Sequence, residues 1–296
     1  MTTRDQLVGF VGAGAMGGPM VRRLVGSGRR VVVHDRDARR LQELAGAAGV
    51  EAAAGLAALH AAPAVITMLP DGDAVESVVA RLLDVLRPGA LVIDMSSSEP
   101  ARTVALAERA SAAGVDLVDA PVSGGVARAV TGDLAIMFGG NPDLLDRCRP
   151  LLQALGSTIT HVGPVGAGHA MKALNNLLSA IGLAAAGEVL EVGRRFGLRP
   201  EVMLDVLNHS TGRNHATETK IARFVLSERY DSGFALRLMV KDVAIAAGLA
   251  VGTGVATPIA DACVAAWRAA AAVLPPDADH TRMAGVPRLA ATPRAR

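Results

Sequence analysis

Aromatic residues are nearly missing from this chain: one Trp, one Tyr and five Phe are 2% of its 296 residues. Its core must therefore be built from Ala, Val and Leu. With 51% hydrophobic and 20% charged residues, the chain has ample apolar material for one large domain or two ordinary ones, which argues against a disordered protein. Neither sign of charge is in excess. Thirty basic and 28 acidic side chains leave a formal net charge of +2. No basic patch is interleaved with aromatics, so no nucleic-acid partner is expected. Cysteine is scarce as well. Cys148 and Cys263 are isolated and lack the spacing of a metal site. They read as inert core thiols of a reducing compartment, which points to the cytoplasm, and no metal is expected. No signal peptide precedes the first strand, expected near Leu7. One uncharged run, Val243 to Ala260, reaches the lower limit for crossing a bilayer. Gly248, Gly252, Thr253, Gly254, Thr257 and Pro258 interrupt it, which predicts a turn between two helices and no membrane span.

What is present in the first half is an alternation of strands and helices. Val8 to Val11 form a short apolar strand, followed at once by Gly12-Ala13-Gly14-Ala15-Met16-Gly17. A G-x-G-x-x-G run between a strand and a helix is the fingerprint of a dinucleotide site. The first glycine makes the turn, the second admits a pyrophosphate to the backbone, and the third lets the helix pack on the strand. A second strand, Val31 to His34, ends at Asp35, where a carboxylate can accept hydrogen bonds from a ribose 2′-hydroxyl. Arg36 follows and can clasp a 2′-phosphate instead. NAD is expected as the cofactor, with NADP possible. Arg39 and Arg40 either add to the positive field or form a solvated helix face.

Further strands are expected at Ala64 to Met68, Leu91 to Ile93, Val115 to Val118, Asp133 to Phe138 and Ile159 to Val162. This repetition predicts a mainly parallel, doubly wound Rossmann domain over residues 1–163. In such a sheet ligands lie beyond the carboxyl ends of the strands. Met68-Leu69-Pro70 and the Ser96-Ser97-Ser98 loop, with Ser97 the chosen contact, should border the cofactor. The serines also suit a helix cap before Pro100. Ser123-Gly124-Gly125 reads either as an ordinary turn or as a concavity of backbone N–H groups for an anion.

From Gly163 the character changes. Gly163, Pro164, Gly166 and Gly168 make a turn that opens a long helix over 168–195, and helices follow over 200–208, 215–227, 236–252 and 257–273. Residues 164–296 are thus expected to form an all-helical domain for substrate binding and dimerisation, with 285–296 a frayed tail. From Ala180 to Gly187 no polar side chain occurs, so that part should be buried all round. Lys172, Asn176 and Ser179 fall at i, i+4 and i+7, on one face. They form either a solvated edge or a polar stripe facing a cleft, with the lysine moving protons.

Four motifs in order, Phe10 to Gly17, Asp119-Ala120-Pro121-Val122-Ser123-Gly124-Gly125, Gly166-Ala167-Gly168 through Lys172 and Asn176, and Lys241-Asp242, resemble the β-hydroxyacid dehydrogenase family. That family includes 3-hydroxyisobutyrate dehydrogenase and tartronate semialdehyde reductase. The resemblance covers nearly the whole chain. It implies a Rossmann domain and an all-helical domain linked by the long helix, and usually a homodimer or homotetramer. It implies that Ser123, Gly124 and Gly125 hold the carboxylate of a small acid, that Lys172 is the catalytic acid/base, that Asn176 positions the substrate, and that Lys241 lies near the cofactor. Three departures stand out. Arg23 occupies a place where many members have asparagine. Gly166-Ala167-Gly168-His169 with Lys172 also resembles 6-phosphogluconate dehydrogenase, but that relative's histidine at the position of Asn175 and acid near Ser179 are missing. Imine reductases generally lack the lysine.

The expected chemistry is the interconversion of a short 3-hydroxy acid and its semialdehyde. A lysine beside a developing alkoxide supplies charge and proton, and a carboxylate held at a fixed distance favours short acids. Gly212 to His215 and Phe234 are expected to line the pocket. The alternatives are a tartronate semialdehyde or glyoxylate type of reductase, or a dinucleotide-binding redox sensor without turnover, which would need neither Lys172 nor Ser123.

Overall fold

The computed structural model describes residues 7–289. The chain forms two compact units that meet in sequence between Lys172 and Ala173. In the first, the elements are β1 (Leu7–Val11), α1 (Gly17–Gly26), β2 (Arg30–His34), α2 (Ala38–Gln42), β3 (Val50–Ala52), β4 (Ala64–Thr67), α3 (Gly72–Leu83), β5 (Leu91–Asp94), α4 (Pro100–Ala112), β6 (Asp116–Asp119), β7 (Val122–Ser123), α5 (Gly125–Thr131), β8 (Ala135–Gly139), α6 (Pro142–Leu155) and β9 (Thr158–Gly163).

The strands stand in the order β3-β2-β1-β4-β5-β6-β8-β7, with β9 paired to β8. The first six are parallel, in the order that binds dinucleotides where the winding reverses, between β1 and β4. β8 then runs antiparallel to β6 and β7 and parallel to β9. Alternate residues of the central strands feed two cores. Val8, Phe10, Val31, Val33, Ile66 and Ile93 pack with Met20, Val21 and Leu24 of α1 and with α6. Val11, Val32, Val65 and Val92 pack with Val75, Val79 and Leu82 of α3 and with Leu106 and Ala110 of α4. Strands covered on both faces read as unbroken apolar runs, which is why they are short and rich in Val and Ile.

The longest helix, α7 (Ala167–Phe196), runs from the end of the first unit into the second. After it come α8 (Pro200–Asn208), a π-helical stretch at Thr217–Leu226, α9 (Leu236–Thr253), α10 (Pro258–Val273), a 3₁₀ turn at His280–Gly285 and α11 (Val286–Leu289). Trp267 is fully buried among Leu183, Ile221, Val243 and Ala270. Asp279 ties the chain around it, accepting from Ser232 Oγ at 2.8 Å, Gly233 N at 2.9 Å and Thr281 N at 2.9 Å.

Several expectations change. The 243–260 run is broken as predicted: Gly254 takes a left-handed conformation at the end of α9, and Pro258 opens α10. Among the described residues, α7 is the one helix long and apolar enough to span a bilayer, and the run flagged from sequence is not. The centre of α7 is not buried all round. Ala185 is exposed, as are Leu178 at 73%, Val192 at 70% and Phe196 at 83%. Most of the helix expected at 215–227 winds as a π-helix over Thr217–Leu226, a difference that apolar spacing does not signal because i→i+5 bonding leaves no mark in it. β3 and β7 were missed, being three and two residues long. Of the expected tail, 285–289 are helical; the remainder lies outside the described residues. Cys148 and Cys263 are buried and unpaired, and burial pushes their thiols up to about 12 and about 11.

Candidate active site

Between β1 and α1 the chain turns through Gly12, whose φ is +99°. Its amide donates to the His34 carbonyl at 2.9 Å, and a Cβ there would lie 2.3 Å from the Met68 carbonyl oxygen. A Cβ on Gly17 would come within 1.8 Å of the Gly12 oxygen, so α1 sits on the turn only without one. Gly14 is different. A Cβ there meets nothing within 4 Å, which leaves its backbone open to a ligand. Ala13 is buried, Ala15 exposed and Met16 half-buried. Met16 begins α1 with no side-chain cap, so the first amides of the helix keep their capacity for an anion. The loop thus fits the pyrophosphate of a dinucleotide.

Asp35 directly follows β2 and works structurally too. Its Oδ2 accepts from Ala13 N at 2.7 Å and its Oδ1 from Asp37 N at 2.8 Å. One carboxylate therefore braces the glycine loop, and each oxygen retains a lone pair for a ribose hydroxyl. Arg36 is exposed. Arg39 is held by Asp37 at 2.9 Å and Arg40 by Glu43 at 3.5 Å, which favours the solvated-face reading for both. The loops after β4 and β5 are joined: Leu69 N donates to Ser96 Oγ at 2.9 Å, while Asp94 accepts from Thr67 Oγ1 at 2.8 Å and from Ser96 N at 3.1 Å. Met68 is half-buried, Pro70 exposed and Ser97 half-buried. The serines do not cap α4. Its N-cap is Glu99, with no side-chain bond.

Ser123 closes the short strand β7, paired with Ala135. Gly124 and Gly125 follow at φ +131° and +67°, so the turn into α5 carries no Cβ atoms; both are exposed and Ser123 is half-buried. The same motif begins with Asp119 at the end of β6. Asp119 is fully buried and accepts from the amides of Gly166 and His169, each at 2.7 Å. It caps α7. Burial raises its pKa above the usual carboxylate range, against the opposing pull of His169 and the two amides. His169, also buried, has Nδ1 2.7 Å from Thr103 Oγ1 and 3.8 Å from Asp119, with Nε2 3.6 Å from Asp94. These ties hold the start of α7 against the carboxyl ends of β5 and β6. Lys172 stands one turn later, half-buried.

In the second unit Asn176 is buried, and its Nδ2 donates to Asp242 Oδ2 at 2.5 Å. Lys241 reaches the other oxygen of Asp242 at 3.1 Å. Asn176 and Lys241, singled out separately from sequence, therefore share one carboxylate. Phe234 lies edge-on to His280, with ring centroids 5.4 Å apart. Asn214 caps the π-helical stretch, accepting from Ala216 N at 2.8 Å. Sequence reading gave no role to Asp94, Asp119, His169 or Asp242. The available signal was a buried-type carboxylate closing each of two strands, and an acid next to Lys241. No cluster of His, Cys, Asp and Glu suited to a metal occurs among the described residues.

Asp119→Ala should lower the free energy of unfolding by about 3 kcal/mol, because it leaves two helix amides and a histidine without their buried partner. Urea denaturation measures this. A loss under about 1 kcal/mol would show that the start of α7 is held by something else.

Two family models match consecutive parts of the chain. The NAD-binding domain of 6-phosphogluconate dehydrogenase matches residues 7–163, and the NAD-binding region of NADP-dependent 3-hydroxyisobutyrate dehydrogenase matches 166–286. A 2-(hydroxymethyl)glutarate dehydrogenase of Eubacterium barkeri is 37% identical over 81% of this chain and 80% of its own length. The 3-hydroxyisobutyrate dehydrogenase of Pseudomonas aeruginosa is 37% identical over 85% of this chain and 88% of its own. Among solved structures, that of Mycobacterium tuberculosis 3-hydroxyisobutyrate dehydrogenase with L-serine superposes with a TM-score of 0.88 at 31% identity, covering 96% of this chain and 99% of that one. With an NAD(P) fold of this strand order and matches that run through both units, the chain belongs to the β-hydroxyacid dehydrogenase family, as an NAD(P)-dependent dehydrogenase of a hydroxy acid's CH–OH group.

Proposed function

We propose that this chain interconverts a short 3-hydroxy acid and its semialdehyde, as a 3-hydroxyisobutyrate dehydrogenase does, with Lys172 as general acid and base. The observation that carries the reading is α7: its start is capped by buried Asp119, and one turn beyond Lys172, Asn176 is locked by Asp242. A bound nicotinamide supplies the hydride acceptor in oxidation and the donor in reduction. Gly12, Ala13, Gly14, Ala15, Met16 and Gly17 would hold its pyrophosphate, Asp35 and Arg36 its ribose end, and Met68, Leu69, Pro70 and Ser97 its flank, with Lys241 near the ring. Lys172 Nζ takes the substrate hydroxyl proton as the carbonyl forms and returns it in reduction. Asn176 donates to or accepts from the same oxygen region, its amide oriented by Asp242. Ser123, Gly124 and Gly125 bind the carboxylate, and Phe234 and the Gly212 to His215 segment shape the substrate pocket. Tartronate semialdehyde or glyoxylate reduction is the second reading, since the same groups serve a smaller acid. Two buried, unpaired thiols suit a reducing, cytoplasmic setting, which targeting of a tagged chain in its own cell would read.

A panel of 3-hydroxy acids and semialdehydes, followed at the nicotinamide absorbance, tests the reading. Turnover of 3-hydroxyisobutyrate or a near homologue is expected, with its methyl ester reduced at least about a hundredfold in kcat/KM for want of the charged hydrogen bonds. An ester used as well as the acid would remove the Ser123 loop from the site.

NAD is the preferred cofactor in this reading, because a 2′-phosphate would meet the Asp35 carboxylate at close range. Asp35→Asn should move the ratio of kcat/KM values toward NADP, and Arg36→Ala should move it toward NAD. A wild-type preference for NADP that Asp35→Asn leaves unchanged would show that this carboxylate does not read the ribose.

We also propose a homodimer. The exposed side chains Leu174, Leu178, Ala185, Val189, Val192 and Phe196 fall within about 60° of one another around α7. The stripe is self-complementary: antiparallel pairing about Ala185 sets Leu178 against Val192 and Leu174 against Phe196, an isologous contact. Light scattering should give twice the chain mass, and Leu178→Glu should return it to the monomer. A wild-type monomer at all concentrations would refute the pairing.

A further inference from the structure

Phe234, half-buried just before α9, is gripped at its amide, its carbonyl and its ring by two consecutive residues, Asp279 and His280. Its N donates to Asp279 Oδ2 at 3.3 Å. Its carbonyl accepts from His280 N at 2.8 Å and lies 3.2 Å from His280 Nδ1. Its ring stands edge-on to the imidazole, with centroids 5.4 Å apart and planes at 78°. All these groups belong to the helical unit. The tautomer of His280 follows from its neighbours. Nδ1 faces the Phe234 carbonyl, Ser232 Oγ at 3.1 Å and Asp279 Oδ1 at 3.4 Å. The carbonyl and the carboxylate only accept, and the Ser232 hydroxyl is already given to Asp279 at 2.8 Å. Nδ1 therefore carries the proton and donates. Burial lowers the pKa of His280, Asp279 opposes that shift and Lys220 adds to it, so the ring is neutral at pH 7 with Nδ1–H as its one donor. The loop leading to Phe234 is held in a strained course. Glu228 and Tyr230 are left-handed at φ +57° and +49° although neither is glycine. Arg282, two residues after His280, lies over the Tyr230 ring at 4.6 Å from its centroid.

We propose that His280 is a positioning residue: its Nδ1–H on the Phe234 carbonyl fixes the Phe234 ring and so sets the size of the substituent accepted on C2 of the 3-hydroxy acid. The proposal rests on the dehydrogenase reading above, in which Phe234 is an apolar wall of the substrate pocket, and it assigns the size selectivity of that pocket. A ring on a yielding backbone moves with the group it meets and discriminates little. A ring whose own peptide groups are bonded on both sides cannot follow, so a missing methyl leaves a void and an extra methylene meets a fixed wall. In this role His280 acts through Phe234 and not on the reacting atoms.

The test follows kcat/KM for 3-hydroxypropionate, 3-hydroxyisobutyrate and 2-(hydroxymethyl)butanoate, which carry hydrogen, methyl and ethyl on C2. The wild type should favour the methyl compound over each neighbour by about tenfold, the scale of one methylene in a closed apolar pocket. His280→Phe keeps a ring but loses the donor, and should cut that preference to about threefold or less, chiefly through KM for the acids, with KM for the cofactor unchanged. His280→Gln carries its amide to the Nε2 position, so it should act as His280→Phe does, and it stands in for that variant if the latter does not fold. His280→Asn keeps an N–H where Nδ1–H stands and should retain the preference. In a Phe234→Ala background, His280→Phe should alter the preference by less than about twofold, since the effect passes through that ring. Equal loss on all three acids, an unchanged preference in His280→Phe or His280→Gln, an effect that persists without the Phe234 ring, or a wild type that does not discriminate overturns the role of His280 and leaves the dehydrogenase reading standing. Turnover of none of the acids overturns both.

Discussion

The start of the lysine-bearing helix depends on one buried carboxylate. Asp119, at the end of β6, accepts the amides of Gly166 and His169 and so fixes the first turn of α7 to the carboxyl end of that strand. Desolvation opposes the charge on Asp119 and raises its pKa, and His169 and the two amides offset part of that cost. The arrangement has a further consequence. Asp119 is the first residue of the Asp119 to Gly125 motif, so the proposed carboxylate-binding turn and the start of the lysine-bearing helix are anchored to the same short segment.

A second carboxylate does comparable work in the helical unit. Asp242 is buried and shared between Asn176 and Lys241. An amide side chain held this way presents a known hydrogen-bonding edge rather than rotating freely, the preorganisation that orientation-based catalysis requires. Asp35 follows the same logic at the cofactor loop, bracing Ala13 while keeping acceptor capacity for a ligand. In three places an acid acts as a structural clamp, and at Asp35 the same carboxylate is also placed to meet a ligand.

The strands and helices were largely readable from sequence because their signals are local. Val8 to Val11 and Val31 to His34 are apolar runs ended by Gly12 and Asp35, and Pro200 and Pro258 mark where helices begin. The glycine loop was readable for the same reason. Less accessible were features that depend on distant partners. Nothing near Asp94 or Asp119 in sequence reveals that they face His169, 75 and 50 positions away. The antiparallel turn of the sheet at β8 follows from pairing, not from composition. Ala180 to Gly187 looked wholly buried because every side chain there is apolar, yet apolarity cannot separate a core face from an exposed one. The π-helix at Thr217–Leu226 escaped because it has the same residues an α-helix would.

The central claim is that Lys172 carries the proton, and chemical rescue of Lys172→Ala tests it most directly. With saturating cofactor and hydroxy acid, the variant should be nearly inactive while binding the dinucleotide as the wild type does. Added methylamine should then restore turnover in proportion to its concentration, because a free amine can take the proton at the vacated place. A variant that retained about a tenth or more of the wild-type rate without amine, or an inactive one that no amine revived at any pH, would contradict the account.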